Sequence, residues 1–411
     1  MEQRLKVIVI GGGAAGFFGA ITCAQLHPHC QVTIVEKSTK VLAKVKISGG
    51  GRCNVTHACF ENRQLTKYYP RGEKELLHPL AQFSTQNTVR WFETRGVKLK
   101  TEADGRMFPV SDNSQTIVDC LIGEAKKAGV EVRLHTSVKA IKLLDDEKKL
   151  ELHLQDEEKI ICDRILIATG GHPNPTAYEW LSASGHAIES PVPSLFTFNT
   201  PASYVLDLAG VSVQEASVKI AGTKLQQTGP VLITHWGFSG PAVLRLSAWA
   251  ARELHTLHYN FMLQINWVPQ FNEETLRTAL LAFKEENSKK TVSANTLFNL
   301  PLRLWKRLVA QAEISEEVRW ADLPKKQMNK LIELLTRGSF QVAGKSTFKD
   351  EFVTCGGIQL TDINLQTMES KKCKGIFFAG EVLNIDGITG GFNFQNAWTT
   401  GYIAGKNIGV R

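Results

Sequence analysis

Short apolar runs and helical stripes alternate along the chain. Leu5 to Ile10 is a β-branched run that stops at Gly11, which predicts a parallel strand buried on both faces. Ala14 to Leu26 reads as a helix and Gln31 to Val35 as a second strand, so the first 36 residues predict one βαβ unit. Helical patterns follow from Asn87 to Arg95 and from Ser114 to Ala128, the latter with Ile117, Leu121, Ile122 and Ala125 on one side and Gly129 as its stop. Strands are then predicted at Val130 to Leu134, Val138 to Leu143, Leu150 to Leu154, Ile160 to Ile161 and Arg164 to Ala168. The whole predicts an α/β fold, a parallel sheet with an added β-meander.

The texture changes after Pro191-Val192-Pro193, the best candidate for a domain boundary. Val211 to Val213, Ser217 to Ile220 and His258 to Trp267 alternate as antiparallel strands do, the last placing Tyr259, Phe261, Leu263, Ile265 and Trp267 on one face. Three helices follow: one capped by Asn272, with Leu276, Leu280 and Phe283 on its apolar stripe, and two opening with Pro301 and Pro324, the last closed by Gly338. Buried-sheet character returns only at Phe352 to Thr354 and Gly375 to Ala379. The expected organisation is therefore a first domain from 1 to 195 and 343 to 411, interrupted by an insert from 196 to 342.

Composition narrows the class. At 411 residues the chain exceeds what one hydrophobic core usually organises, and 43% hydrophobic with 21% charged residues is ordinary for a globular protein. A net charge of +8, spread without long blocks, suits an anionic ligand and by itself implies no more. The eight cysteines form no CxxC pair and no metal-ligand spacing with histidine, so no metal is expected and a reducing, cytoplasmic setting is the simplest reading. No continuous apolar stretch is long enough to span a bilayer.

The chemistry is carried by glycines. Gly11-Gly12-Gly13-Ala14-Ala15-Gly16 satisfies GxGxxG between a predicted strand and a predicted helix. Gly11 allows the tight turn, Gly13 lets a pyrophosphate approach the backbone, and Gly16 lets the helix pack on the strand, while the helix start presents free N–H groups of Ala14 and Ala15 to phosphate. Glu36, with Lys37 beside it, ends the second strand 20 positions after Gly16, where an acid can accept hydrogen bonds from ribose hydroxyls. Near the other end, Gly375 to Ala379 is an apolar strand followed by Gly380-Glu381, then Gly390-Gly391 and a helix from about Phe392-Asn393 to Lys406. This second half resembles the two-part FAD site of flavoproteins, in which an acid after the last strand holds the ribitol and a helix N-terminus faces the flavin. Physically, that helix end stabilises the negative charge of a reduced flavin. Ile47-Ser48-Gly49-Gly50-Gly51-Arg52-Cys53-Asn54 is read as a further cofactor contact, with Gly50, Gly51, Arg52, Cys53 and Asn54 at the ligand and Cys53 not redox-active.

Together with Gly105-Arg106-Met107-Phe108-Pro109, Thr234-His235-Trp236-Gly237-Phe238-Ser239-Gly240-Pro241 and Gly387 to Gln395, these motifs resemble the BaiN/aminoacetone-oxidase-like group of bacterial NAD(P)/FAD-dependent flavoproteins over nearly the full length. The resemblance implies a Rossmann-type, GR2-like FAD domain built from both chain ends, an inserted β-barrel and helical domain, and oxidoreductase activity. It also implies that the Val138 backbone meets the adenine and that Ala168, Thr169 and Gly170 end a strand passing under the cofactor. His235 and Arg106 are weaker candidates for acid/base or substrate-anchoring roles.

The reading is an FAD-dependent oxidoreductase acting on a small molecule, with flavin-mediated hydride transfer between NAD(P)H or oxygen and that substrate at a cleft beside the insert. Because only one GxGxxG unit occurs, NAD(P)H is expected to visit transiently as electron donor. Neither a membrane nor a nucleic acid is an expected partner. Two alternatives are an FAD-dependent RNA-modifying or RNA-binding protein, suggested by the basic charge and the large insert, and a flavin redox sensor without turnover.

Overall fold

The computed structural model describes residues 4–144, 149–346 and 353–410. The chain divides into two compact units, Met1–Ser194 with Lys349–Arg411, and Leu195–Phe348. Phe352, where a returning strand is expected, lies outside the described residues; the strand itself is Val353–Ile358.

In the first unit the strand Leu5–Ile10 is central, pairing in parallel with Cys30–Val35 on one side and Arg164–Ile167 on the other. Ile376–Phe378 joins Arg164–Ile167 in parallel and Glu131–Arg133 joins Cys30–Val35, so both chain ends contribute to one sheet. Two short antiparallel strands, Glu369–Ser370 and Ile363–Asn364, extend the Ile376 edge. Val7 to Ile10, Val32, Ile34, Val35, Ile165 to Ile167 and Ile376 to Phe378 are all buried, as strands covered on both faces require. The meander is Val138–Leu143, Leu150–Leu154 and Lys159–Cys162, a separate three-stranded sheet.

Pro191 and Pro193 are not in a linker: they lie within the strand Ile188–Ser194, which pairs antiparallel with Val353–Ile358 and shifts register between Glu189 and Val192. Proline is tolerated in a strand at an edge or beside a register shift, and Ile188–Ser194, with Val353–Ile358 as its one strand partner among the described residues, offers both.

The second unit is built on seven antiparallel strands in the order Gly338–Ala343, Asn260–Asn266, Ser212–Ile220, Gln226–Ile233, Gly237–Ser239, Thr197–Asn199, Lys345–Ser346. The outermost strands are consecutive in the chain, separated only by Gly344 at φ +107°. The sheet therefore curls until its edges meet, a barrel that leaves little open edge. The two runs expected at Val211 to Val213 and Ser217 to Ile220 are one strand, broken in pattern by a register shift between Val213 and Ala216. Helices Glu273–Glu286, Leu302–Gln311 and Lys325–Arg337 follow the expected stripes. Pro301 and Pro324 occupy the cap position with extended backbone, one residue earlier than a first helical residue. Trp267, Trp305 and Trp320 are fully buried in this unit's own core.

Candidate functional site

The strand Leu5–Ile10 hands over to the helix Ala14–Leu26 through a turn whose glycines do different work. A Cβ at Gly11, where φ is +109°, would stand 2.4 Å from the Ala168 carbonyl oxygen, and a Cβ at Gly16 would stand 2.0 Å from the Gly11 carbonyl oxygen. These two permit the close crossing of strand and helix. At Gly13 a Cβ would meet nothing within 4 Å, so its bareness serves no neighbour in the protein. Gly13 is also the N-cap, and no side chain caps this helix, which leaves its first N–H groups, those of Ala14 and Ala15 among them, available to an anion. Glu36 folds back to this turn: its Oε2 accepts the Gly12 N–H at 2.8 Å and its Oε1 the Ser38 N–H at 2.9 Å. Each carboxylate oxygen keeps a lone pair for another donor. Lys37 is exposed, and Val138 begins the meander strand.

The C-terminal helix Phe392–Ile408 packs along Ala14–Leu26 at backbone distance. A Cβ at Gly401 would lie 2.8 Å from the Ala15 carbonyl oxygen, and one at Gly405 would lie 2.3 Å from that of Gly19. Glycine contact thus sets the N-terminal half of Ala14–Leu26 against the C-terminal half of Phe392–Ile408, and Gly380 adds to this contact, its own Cβ position 2.8 Å from the Ala15 methyl. The C-terminal helix likewise has no side-chain N-cap bond donated to its interior, and its cap, Gly391, has φ +94° and would place a Cβ 2.6 Å from the Thr56 carbonyl. Gly390, at φ +133°, lies under the Phe392 ring.

The segment Cys53 to His57 is what holds that helix end. With its amide turned so that oxygen faces a donor, Asn54 accepts the Gly391 N–H at 3.0 Å and donates to the Thr56 carbonyl at 2.9 Å. The Thr56 hydroxyl donates to Gln395 Oε1 at 2.6 Å, and Trp398 Nε1 donates to the Val55 carbonyl at 2.9 Å. Tyr69 donates its hydroxyl to the Phe392 carbonyl at 2.7 Å. The Asn393 amide clamps Gly387 from both sides, accepting its N–H at 2.8 Å and donating to its carbonyl at 2.9 Å.

Around the triple glycine the outcome is divided. Residues 43 to 47 are helical, and the chain kinks at Ser48 to Gly50. Gly49, Gly50 and Gly51 all have positive φ, and a Cβ at Gly50 or Gly51 would meet nothing within 4 Å. Arg52 does not turn toward these glycines: its guanidinium bonds Glu102 at 2.6 Å and lies 4.0 Å from the centre of the Phe108 ring. Arg106 meets the same Glu102 at 2.9 Å and Asp104 at 2.7 Å, an ion-pair cluster on the hairpin of Leu99–Thr101 and Arg106–Pro109. Cys53 is fully buried with φ +60°, and burial pushes its thiol up to about 12, which keeps it protonated and inert.

Ala168 is buried at the end of its strand, Thr169 is exposed, and Gly170 at φ +72° again faces open space. Glu381 Oε1 accepts the Thr354 N–H at 2.8 Å, and Oε2 pairs with Lys44 at 2.9 Å. Beside it the buried Thr354 hydroxyl has no hydrogen-bond partner among the described residues. His235 is exposed, in the turn between the strands Gln226–Ile233 and Gly237–Ser239 of the second unit.

Three features escaped the sequence reading. Asp386, fully buried, accepts Arg71 Nε at 2.6 Å and the Ser194 hydroxyl at 2.9 Å, tying the loop before Gly390 to residues 315 and 192 positions away. Burial pushes that carboxyl up while the Arg71 guanidinium opposes it. Gln395 is wholly buried in the first turn of the last helix. His57 stacks on Phe392 with ring centres 4.7 Å apart, its Nδ1 3.1 Å from the Gly390 carbonyl, and desolvation lowers its pKa. The pairing of a Thr-His step with a distant Gly-Gly step has no local periodicity to reveal it.

These residues fit FAD. Open space above Gly13, Gly50, Gly51 and Gly170, an uncapped helix start, free lone pairs on Glu36 and an orphaned hydroxyl beside Glu381 are what a dinucleotide with several hydroxyls and a pyrophosphate would use. Gly13 to Gly16 with Glu36 would hold the adenosine and pyrophosphate half, and the Gly390-Gly391 helix end the flavin half. Among the described residues no group of three or more His, Cys, Asp or Glu is placed to hold a metal, and no helix is long and apolar enough to cross a membrane.

Known proteins agree with this fold. The family model described as HI0933-like protein Rossmann domain matches residues 5–407. A ribosomal RNA dihydrouridine synthase of Escherichia coli K12 is 30% identical, covering 99% of this chain and 98% of its own. A 3-dehydro-bile acid delta(4,6)-reductase of Clostridium scindens is 26% identical over 99% of both chains. Among solved structures, a 3-ketosteroid-delta4-(5alpha)-dehydrogenase of Rhodococcus jostii RHA1 superposes with a TM-score of 0.51 at 12% identity, covering 100% of this chain and 98% of that one, a likeness of fold. With a full-length match of this kind joined to an interrupted parallel sheet and a two-ended glycine site, the chain belongs to the HI0933-like Rossmann-domain family of FAD-binding oxidoreductase fold.

Proposed function

We infer that this protein is an FAD-dependent reductase that adds hydrogen across a carbon–carbon double bond conjugated with a carbonyl. The observation that carries the reading is that two helices with uncapped starts, at Gly13 and at Gly391, pack on one another through glycines. One suits a pyrophosphate and the other the negative charge of a reduced flavin. FAD, when bound, supplies the hydride. The chain binds the cofactor through the glycine turn and Glu36, and shapes its flavin end through Asn54, Thr56, Gln395 and Asn393. The bond class is supported by the relatives' names: dihydrouridine is uridine reduced at the double bond conjugated with a ring carbonyl, and a delta(4,6)-reductase of a 3-oxo steroid reduces bonds of the same kind.

Reduced nicotinamide is the proposed electron donor, visiting without a dinucleotide domain of its own, since the sequence holds one GxGxxG turn. A small enone is the first substrate class. The second reading places the double bond in a uracil of RNA, favoured by the name of the 30%-identical relative. One experiment tests both: the purified yellow protein is reduced anaerobically by NADH or NADPH, then offered a steroid enone or unmodified ribosomal RNA. Reoxidation by either, with the saturated product found by mass spectrometry, supports the corresponding reading. Reduced flavin that is reoxidised only by oxygen overturns both.

A further inference from the structure

The charge of the chain is unequally shared. Residues 195 to 348 carry 17 lysines and arginines against 12 acids, so five of the eight net positive charges sit on little more than a third of the length. Three of the cations share one helix face. On the helix Lys325–Arg337 the exposed side chains Lys326, Lys330 and Arg337 recur four and seven residues apart, one face of the helix, interrupted by Glu333, which pairs with Lys330 at 3.2 Å. Four residues of helix advance about 6 Å, a step comparable with one nucleotide of an extended strand.

That face runs into a groove of about 300 Å³ on the barrel wall, at the lower end of the range for small-ligand clefts (~300–1,000 Å³). Arg337 stands at its rim, held at 3.3 Å by Glu273. Lys219, Gln226, Gln264, Asn266 and Phe271 line it. Gln226 uses its NH2 on the Ser217 hydroxyl at 2.7 Å and keeps its carbonyl oxygen, while no described side-chain bond engages the Gln264 amide or the Lys219 ammonium. Side-chain amides carry both donor and acceptor, the pattern of a nucleobase edge, and Phe271 offers an apolar ring beside them.

We propose that this groove and the lysine face leading to it form a docking surface for single-stranded RNA, seating one base among the amides while Lys326 and Lys330 meet successive phosphates. The proposal rests on the reading in which RNA carries the reducible uracil, and it goes beyond it by assigning a binding site lined by residues of the inserted unit. No covalent step occurs there.

The test is fluorescence anisotropy of a labelled 16-nucleotide single-stranded RNA with the FAD-loaded protein across a salt series. Phosphate contacts from Lys326 and Lys330, with a third from Lys219 in the groove, predict a slope of log K against log salt of about −2 for a single strand. The variant K219Q/K326Q/K330Q should bind at least tenfold more weakly at low salt with a slope near zero, and its flavin content and reduction by dithionite should stay unchanged. Unaltered affinity and slope in that variant would overturn the proposal, as would displacement of the RNA by polyglutamate as effectively as by unlabelled RNA. Measuring dihydrouridine in treated ribosomal RNA separates the two ideas: RNA binding lost in the variant with no dihydrouridine formed by the wild type leaves the docking surface and removes the uracil reading, whereas dihydrouridine formed equally by both removes the docking surface alone.

Discussion

Two helices of nearly equal length begin in opposite ways. Glu273–Glu286, in the inserted unit, opens with a complete capping box: Asn272 Oδ1 accepts the Thr275 N–H at 2.8 Å, and the Thr275 hydroxyl accepts the Asn272 N–H at 3.0 Å. Ala14–Leu26, in the first unit, opens at Gly13 with no side chain returned to it. The first helix answers its own orphan donors and is closed to ligands; the second leaves them for an anion. A helix start without a cap is thus informative when its glycine also faces empty space, because a glycine required only by packing would have a neighbour.

The strongest way to break that contrast is to separate packing from binding within the same turn. Gly16→Ala forces a methyl to 2.0 Å from a backbone oxygen, and overpacking of this kind costs on the order of 3 kcal/mol or more. The expected result is poor soluble yield or a large fall in melting temperature of the cofactor-free protein. A normal melting curve would show that strand and helix can part without loss. Gly391→Val belongs to the same class, since its Cβ meets the Thr56 backbone, and should lose stability together with flavin.

Gly13→Val sharpens the comparison from the other side. Its backbone, φ −90° and ψ −169°, suits a β-branched residue, and the added side chain enters open space. The melting temperature of the cofactor-free protein should be close to that of the wild type, while FAD affinity falls at least about tenfold, roughly 1.4 kcal/mol. Equilibrium dialysis with FAD reads the second quantity and calorimetry the first. Retained stoichiometric FAD would mean that the space above Gly13 is not where the pyrophosphate lies.

Asn272→Ala should have the smallest effect and the inverse profile. Loss of the cap costs about 1 kcal/mol, a shift of a few degrees in the transition of the inserted unit, with FAD content unchanged. If FAD binding weakened as much as in Gly13→Val, the two helix starts would not differ in the way their caps imply.

What the sequence determined by itself was local. The βαβ unit, Glu36 at its end, the apolar strand before Gly380 and the stripes of the insert's helices depend on near-neighbour periodicity and turn chemistry, which the order of residues carries directly. Arg52 and Arg106 mark where such reasoning stops, because a guanidinium next to glycines looks ready for phosphate until Glu102, brought in by a hairpin, takes both. Only the tertiary structure decided that Asn54 and Thr56 hold the start of the last helix, more than 330 residues on, and that Asp386 meets Arg71 and Ser194. It also decided that two edge strands meet across Gly344 to close a barrel. Those pairings join residues of no common period, and their partners are chosen by which backbones the glycine contacts of the two helices and the curl of the sheet allow to approach.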